Sequence, residues 1–325
     1  MDLQTLKSVF PDTLIEANHP LAPDTTVNIG GPADIFIHTK STEELVNILK
    51  YLSETGNFSE HGVEHSEIPT INGNCVARSA QPEGSAHRKN SPVSVIILGN
   101  GSNVLISDTG IRGIVIKNSA SSIEYLADNQ VKVNSGVQLP QLITDSIDHS
   151  LSGLEEFAYI PSTIGGAVAG NIHGVNKNNF DKFLVSVDVF NLQTGVVENY
   201  PNFPNLPHLI IISATLRLTS GNPARSKLTV IDIIAQKTAV QSMNSLGSVF
   251  KNPPNDSAGR IIDKELNLSG FRLGDVQISP KHANFILNLG HATALNYLTV
   301  IKKIQFEALA KGFTLEPEIK FLGEF

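Results

Sequence analysis

Leu45, Ile48, Leu49 and Leu52 recur at helical spacing, and Ser41 stands before them with Glu44 three residues on. That pattern predicts a helix opened by a capping box. Just before it, residues 33–38 (ADIFIH) read as a strand. An apolar run at 93–107 is cut by a glycine-rich turn and then resumes. Residues 114–116 continue the strand signal, and a hairpin is predicted over 122–134 with Asp128-Asn129 as its turn. Residues 139–149 read as a helix with Pro140 in its first turn. Strands are predicted at 184–190 and 209–218, and helices at 228–242 and 294–311, the last ended by Gly312. A final strand would hold Glu318 to Leu322. Strands and helices do not alternate as strict βαβ units, so the fold class is α+β rather than a doubly wound sheet.

The segment from about Phe58 to Pro92 breaks this rhythm. It is polar, poor in apolar residues, and reads as a long surface insertion. Turn residues at 219–226 (TSGNPARS) suggest a boundary, giving one domain over 1–220 and a smaller one over 221–325. The 325 residues suffice for two cores, with 41% hydrophobic and 17% charged residues. A net charge of −7 argues against a nucleic-acid partner. The single cysteine, Cys75, excludes an internal disulfide and reads as a cytoplasmic setting. No signal peptide is evident, and no window approaches the roughly 20 apolar residues of a membrane helix.

Four stretches carry candidate chemistry. In LGNGSN (98–103) two glycines follow a buried strand. Backbone N–H groups in such a turn can form a nest for phosphate, although a plain hairpin turn has the same form. Val104 and the strand pattern after it exclude a Rossmann fingerprint. IPSTIGGAVAGN (160–171) can open a helix capped by Ser162 or Thr163, with Gly165 and Gly166 admitting a cofactor close to the backbone; close packing of small residues is the alternative. His61, Glu64 and His65 spell H-x-x-E-H, but Gly62 and Pro69 oppose the stable helix a zinc site needs, so no metal is expected. In SLGSVFKNPPNDSAGR (245–260), Gly247 and the two prolines shape a strand end or loop around Ser248. Ser248 has no nucleophile-elbow context, and Glu316 and Glu318 would share one face of an extended segment.

Six stretches in order resemble the UDP-N-acetylenolpyruvoylglucosamine reductase (UDP-N-acetylmuramate dehydrogenase) family. They are TTVNIGGPADIFI (25–37), ILGNGSNVLI (97–106), LSGLEEFAYIPSTIGGAVAGN (151–171), GSVFKNPPNDSAGRIID (247–263), SGFRLGDVQISPKHANFILN (269–288) and LEPEIKFLG (315–323). The resemblance implies a two-lobed FAD-binding domain of the vanillyl-alcohol oxidase type, followed by a smaller α+β substrate domain. It implies bound FAD, NADPH as co-substrate, UDP-N-acetylglucosamine enolpyruvate as substrate, and a monomer. FAD would be held by Gly30, Gly31, Gly99, Asn100, Gly101, Ser102, Asn103, Pro161, Ser162, Thr163, Gly165, Gly166 and Asn171. Hydride from flavin N5 would reach C3 of the enolpyruvyl group and a proton from Ser248 would reach C2. Glu318 matches the family's carboxylate at the enolate, and Lys237, Lys251 and Asn252 would bind substrate.

The chain departs from the family at two places. The family's Tyr-Arg-x-Ser segment, whose arginine stabilises the enolate, has no counterpart in 196–218, where the first arginine is Arg217 inside a strand pattern. The family's Asn-Ala-Gly-Ala-Tyr-Gly is replaced by residues 171–176, NIHGVN, in which His173 is a candidate cation. An FAD- or nucleotide-binding homologue with impaired catalysis is therefore the alternative to an active reductase. A flavin oxidase on the same fold is a third reading, without an evident His or Cys context for tethering the flavin.

Overall fold

The computed structural model describes residues 3–55, 94–241 and 244–325. The polar insertion predicted at 58–92, with Cys75 and the His61–His65 spacing, lies outside the described residues. The chain opens with α1 (Leu3–Val9), β1 (Leu14–Pro20), β2 (Pro32–Thr39) and α2 (Thr42–Thr55). Ser41 Oγ accepts from Glu44 N at 3.1 Å, while the Glu44 carboxylate accepts from Lys40 N at 2.7 Å. Leu45, Ile48, Leu49 and Leu52 are all buried, as their spacing predicts. Next come β3 (Val95–Leu98), β4 (Val104–Ile106) and β5 (Ile111–Asn118). The first sheet runs β1-β2-β5-β3, with β5 parallel to both β2 and β3.

LGNGSN is not a hairpin turn. β3 pairs with β5, whereas β4 leaves the sheet and pairs in parallel with the last strand of the chain. The turn after β4 presses on the loop before β2. A Cβ on Gly110, at φ +83°, would lie 1.9 Å from Pro32 O. Gly110→Ala is expected to destabilise by on the order of 3 kcal/mol, from left-handed backbone strain plus overpacking. A urea midpoint equal to wild type would contradict this close packing.

The second sheet is antiparallel, in the order β10-β9-β11-β7-β6. Its members are β6 (Ile123–Tyr125), β7 (Gln130–Asn134), β9 (Leu184–Asn191), β10 (Val196–Tyr200) and β11 (Leu209–Arg217). Asp128 and Asn129 both take φ +57° at the predicted hairpin turn. Between these strands lie α3 (Leu139–Asp148), the short β8 (Leu151–Ser152) and α4 (Ile164–Ala169); β12 (Thr219–Ser220) pairs with β8.

The remaining elements are α5 (Pro223–Val240), α6 (Ala258–Arg260), β13 (Arg272–Leu273), β14 (Val276–Ile278), β15 (Ile286–Asn288), α7 (Ala294–Ala310) and β16 (Lys320–Leu322). α5 starts five residues earlier than its apolar pattern predicts. The Asn222 side chain caps Arg225 N and Pro223 occupies the first turn, so the end chemistry, not the periodicity, sets the boundary. β16 is shorter than predicted, beginning at Lys320. The core under α7 is not closed by C-terminal residues alone: Val27, Ile29 and Leu105 pack into it. Asp108 caps α7 across this junction, accepting from Ala294 N at 2.8 Å and Leu295 N at 3.0 Å. Among the described residues no helix is long and apolar enough to cross a membrane.

Candidate active site

The turn after β3 carries the first part of the site. Gly101 takes φ +59°, and a Cβ there would lie 2.5 Å from Asp24 O and 2.7 Å from Thr25 Cα. Only glycine lets this backbone pack so closely while turning left-handed. The backbone N–H groups of Asn100, Gly101, Ser102 and Asn103 donate to no described residue. Four adjacent N–H groups without an internal acceptor form a donor set of the kind that binds phosphate oxygens.

The segment before α4 closes on this turn. A Cβ on Gly99 would sit 2.6 Å from Thr163 Oγ1. The Asn100 amide bonds both the Gln138 side chain and, at 3.2 Å, Pro161 O. Within α4 the donors are already spent: Ile164 N on Val137 O, Gly165 N on Ser135 O, and Gly166 N on the Thr163 hydroxyl. Ser162 is buried and bonds Thr163 O. Gly30 and Gly31 lie against Ile106 and Asp108, and Asn171 is clamped to Asp181 by bonds of 2.9 and 3.0 Å. The structure thus brings Gly99 and Asn100 against Thr163 and Pro161, while Gly30 and Gly31 contact Ile106 and Asp108, Gly165 contacts Ser135, and Asn171 bonds Asp181.

The second part is built where the loop after α5 meets the segment before β16. Phe250 and Pro317 form an antiparallel bridge; Lys251 N donates to Glu316 O and Glu318 N to Val249 O, both at 2.8 Å. Ser248 is therefore one residue from the backbone partner of Glu318. Asn284, 2% exposed, holds the same loop from the other side, accepting from Phe250 N at 3.0 Å and donating to Phe250 O at 2.8 Å. The Ser248 hydroxyl has no hydrogen-bond partner among the described residues. Lys251 Nζ pairs with Glu316 at 2.5 Å, and Asn252 accepts from Ala258 N at 3.0 Å, tying the loop to α6. The two parts of the site are joined at Asn103: its side chain donates to Glu318 O at 3.4 Å and its carbonyl accepts from Lys320 N at 2.9 Å.

Glu318 and Glu316, two apart in sequence, differ in setting. Glu316 is exposed, whereas burial pushes the Glu318 carboxyl above the usual carboxylate range, an effect opposed by His173 and Lys251. Burial also raises Tyr159, with Glu318 and Glu156 adding to it. Lys237 Nζ lies 4.8 Å from the centre of the Tyr159 ring, a cation–π contact. Burial, and then Lys237, hold the His282 imidazole below its ordinary range. Sequence reasoning did not single out Asn284, Tyr159 or Glu156. The visible signals were polar residues inside apolar stretches, Asn284 in HANFI and Glu156 in LEEFAYI.

No group of three His, Cys, Asp or Glu residues that could hold a metal occurs among the described residues. The unengaged N–H groups of the turn and the close approach at Gly101 fit a cofactor diphosphate. A family model described as FAD binding domain matches residues 85–199, over this part of the chain. With a half-buried serine and a half-buried carboxylate on adjoining segments, the fold and site define an FAD-binding oxidoreductase. A second family model, UDP-N-acetylenolpyruvoylglucosamine reductase C-terminal domain, matches residues 238–322. A protein of that name from Syntrophotalea carbinolica is 33% identical over 95% of both chains. One from Staphylococcus aureus is 30% identical over 99% of this chain and 96% of its own. The crystal structure of the reductase from Thermus caldophilus superimposes with a TM-score of 0.71 at 26% identity, covering 96% of this chain and 99% of that one. The chain belongs to the UDP-N-acetylenolpyruvoylglucosamine reductase family.

Proposed function

We propose that this chain is an NADPH-dependent flavoenzyme that reduces UDP-N-acetylglucosamine enolpyruvate to UDP-N-acetylmuramate in peptidoglycan precursor synthesis, acting as a cytoplasmic monomer. The observation that carries the reading is the bridge at Phe250 and Pro317, which joins the Ser248 loop to Glu318 beside a turn of free N–H donors. Residues 1–220 form the FAD-binding part and 221–325 most of the substrate part. The N–H groups of Asn100–Asn103 hold the diphosphate, with the segment Pro161–Thr163 fixing the turn. Bound FAD supplies a hydride acceptor for NADPH and a hydride donor for the enolpyruvyl double bond.

The protein's own residues meet what that chemistry leaves undone. Hydride arriving at C3 leaves negative charge on C2 and its carboxylate, which then needs a proton. The Ser248 hydroxyl, without a hydrogen-bond partner among the described residues, delivers that proton to C2. Glu318 acts at the same carbon, and Lys237, set against the Tyr159 ring, binds the UDP phosphates. Lys251 and Asn252 shape the loop that carries Ser248.

Purified protein is expected to show visible flavin absorbance that bleaches with NADPH under anaerobic conditions and returns on adding the enolpyruvyl substrate. Bleaching without return would favour the impaired homologue, a reading supported by the missing arginine in 196–218. No flavin after reconstitution with FAD would overturn the proposal.

A further inference from the structure

We infer that Asn284 is a positioning residue for the proton transfer: it sets where the Ser248 hydroxyl points, an assignment that rests on the function proposed above. The Ser248 loop runs antiparallel beside β15 and is tied to it at two places. At one end Asn288 N donates to Asn244 O at 3.1 Å, and Ser245 bridges Leu287. At the other end Val249 N donates to Asn284 O at 2.9 Å. Between these bonds the loop advances five residues, from 244 to 249, while its partner advances four, from 288 to 284. One extra residue on one side of a ladder is a β-bulge, a device that re-aims a side chain. It falls around Gly247, at φ +74°, and Ser248.

The bulge decides which way Ser248 faces. Residues two apart share one face of a strand, so unbroken alternation would set Ser248 beside Leu246 in the core under α7. The extra residue gives that place to Val249, 0% exposed, and leaves Ser248 half-buried with its hydroxyl bonded to no described residue. Asn284, two residues before β15 begins, holds the shifted register. There its side chain takes over the ladder: Oδ1 accepts from Phe250 N at 3.0 Å, and Nδ2 donates to Phe250 O at 2.8 Å. The carbonyl and the side chain of one residue thus bind Val249 and Phe250, the two residues that follow Ser248. Asn284 is itself fixed, its N donating to the His282 imidazole at 3.3 Å. The position asks for one donor and one acceptor on a short side chain, which asparagine supplies.

The proposed chemistry depends on this aim. The C2–H bond forms with the proton of the Ser248 hydroxyl, whose oxygen then regains one from water; Asn284 exchanges none. A general acid works only within hydrogen-bond reach of the atom it serves. Misplacing such a group by about 1 Å costs on the order of 10² in rate. Flavin reduction by NADPH asks nothing of Ser248. A residue that acts through Ser248 therefore alters one half-reaction and not the other.

Two variants test this: Asn284→Asp, of the same shape without the donor, and Asn284→Gln, which keeps both groups one methylene farther out. In anaerobic rapid mixing both are expected to leave flavin reduction by NADPH unaltered and to slow reoxidation by the enolpyruvyl substrate about 10²-fold. Reoxidation in the variants should also be more sensitive to deuterium oxide than in wild type, because proton transfer has become the slow step. In a Ser248→Ala background neither substitution should slow reoxidation again, since residues that act through one another are not additive. Should both Asn284 variants fail to hold flavin, Gly247→Ala makes the same test from the other end of the bulge; its Cβ would meet nothing within 4 Å. Reoxidation at the wild-type rate, or slowed by the same factor with and without the Ser248 hydroxyl, would overturn the assignment alone. Unaltered reoxidation in Ser248→Ala itself, or wild-type flavin absorbance that bleaches and never returns, would instead overturn the proposed function, and this assignment with it.

Discussion

Ser248→Ala is expected to separate the two half-reactions. Flavin reduction by NADPH should keep its wild-type rate, because that step asks nothing of the serine. Reoxidation by the enolpyruvyl substrate should fall by about 10²–10⁴-fold, the range for loss of a positioned general acid. The fold should not suffer. The hydroxyl bonds no described residue, and the loop's backbone is held by Asn284 and by the bridge to Pro317. A variant with normal flavin content and a normal thermal midpoint would therefore report chemistry alone. If single-turnover reoxidation were unchanged, the proton to C2 would have to come from another group, and the role given to Ser248 would be wrong.

The second large effect is expected at Gly101. A left-handed residue with a side chain costs about 1–2 kcal/mol in backbone strain. Here the added methyl would also meet main-chain atoms of Asp24 and Thr25 at 2.5 and 2.7 Å. Main chain cannot swing aside as a flexible side chain can, so the turn itself must move. That displaces the N–H groups of Asn100–Asn103. Gly101→Ala should lower FAD affinity by about 10²-fold, the equivalent of one to two charge-assisted hydrogen bonds. The core under α7 should stay intact, since its members lie elsewhere apart from Val27, Ile29 and Leu105. Flavin retention through gel filtration, followed by titration of the apoprotein, measures this directly. Full retention would remove this turn from the diphosphate site.

Much of the local structure was legible. α2 could be placed from four leucine and isoleucine positions and a cap, and the Asp128-Asn129 turn from two residues that tolerate positive φ. Of the two candidate caps of α4, Ser162 and Thr163, it is Thr163 that caps it. β10 was missed: Val196 and Val197 are exposed at a sheet edge, so the strand has no alternating buried face to betray it. The start of α5 was missed for a related reason, since Ser226 alone is buried along that helix.

The site divides in the same way. Family resemblance, not local pattern, singled out Ser248 and Glu318 for the roles proposed above; by itself the sequence determined the fold class and the glycines where the backbone must turn. Local rules suffice for these, because caps, turns and periodicities act within a few residues. Only the tertiary structure decided that the turn after β3 lies against Thr163, that β4 leaves its neighbour to pair with β16, and that Glu318 is half-buried while Glu316 is exposed. It also decided that Glu156 holds the loop under His173. These are contacts between segments far apart in the chain. A buried polar group finds whichever partner the packing brings to it, and no spacing along the sequence encodes that partner.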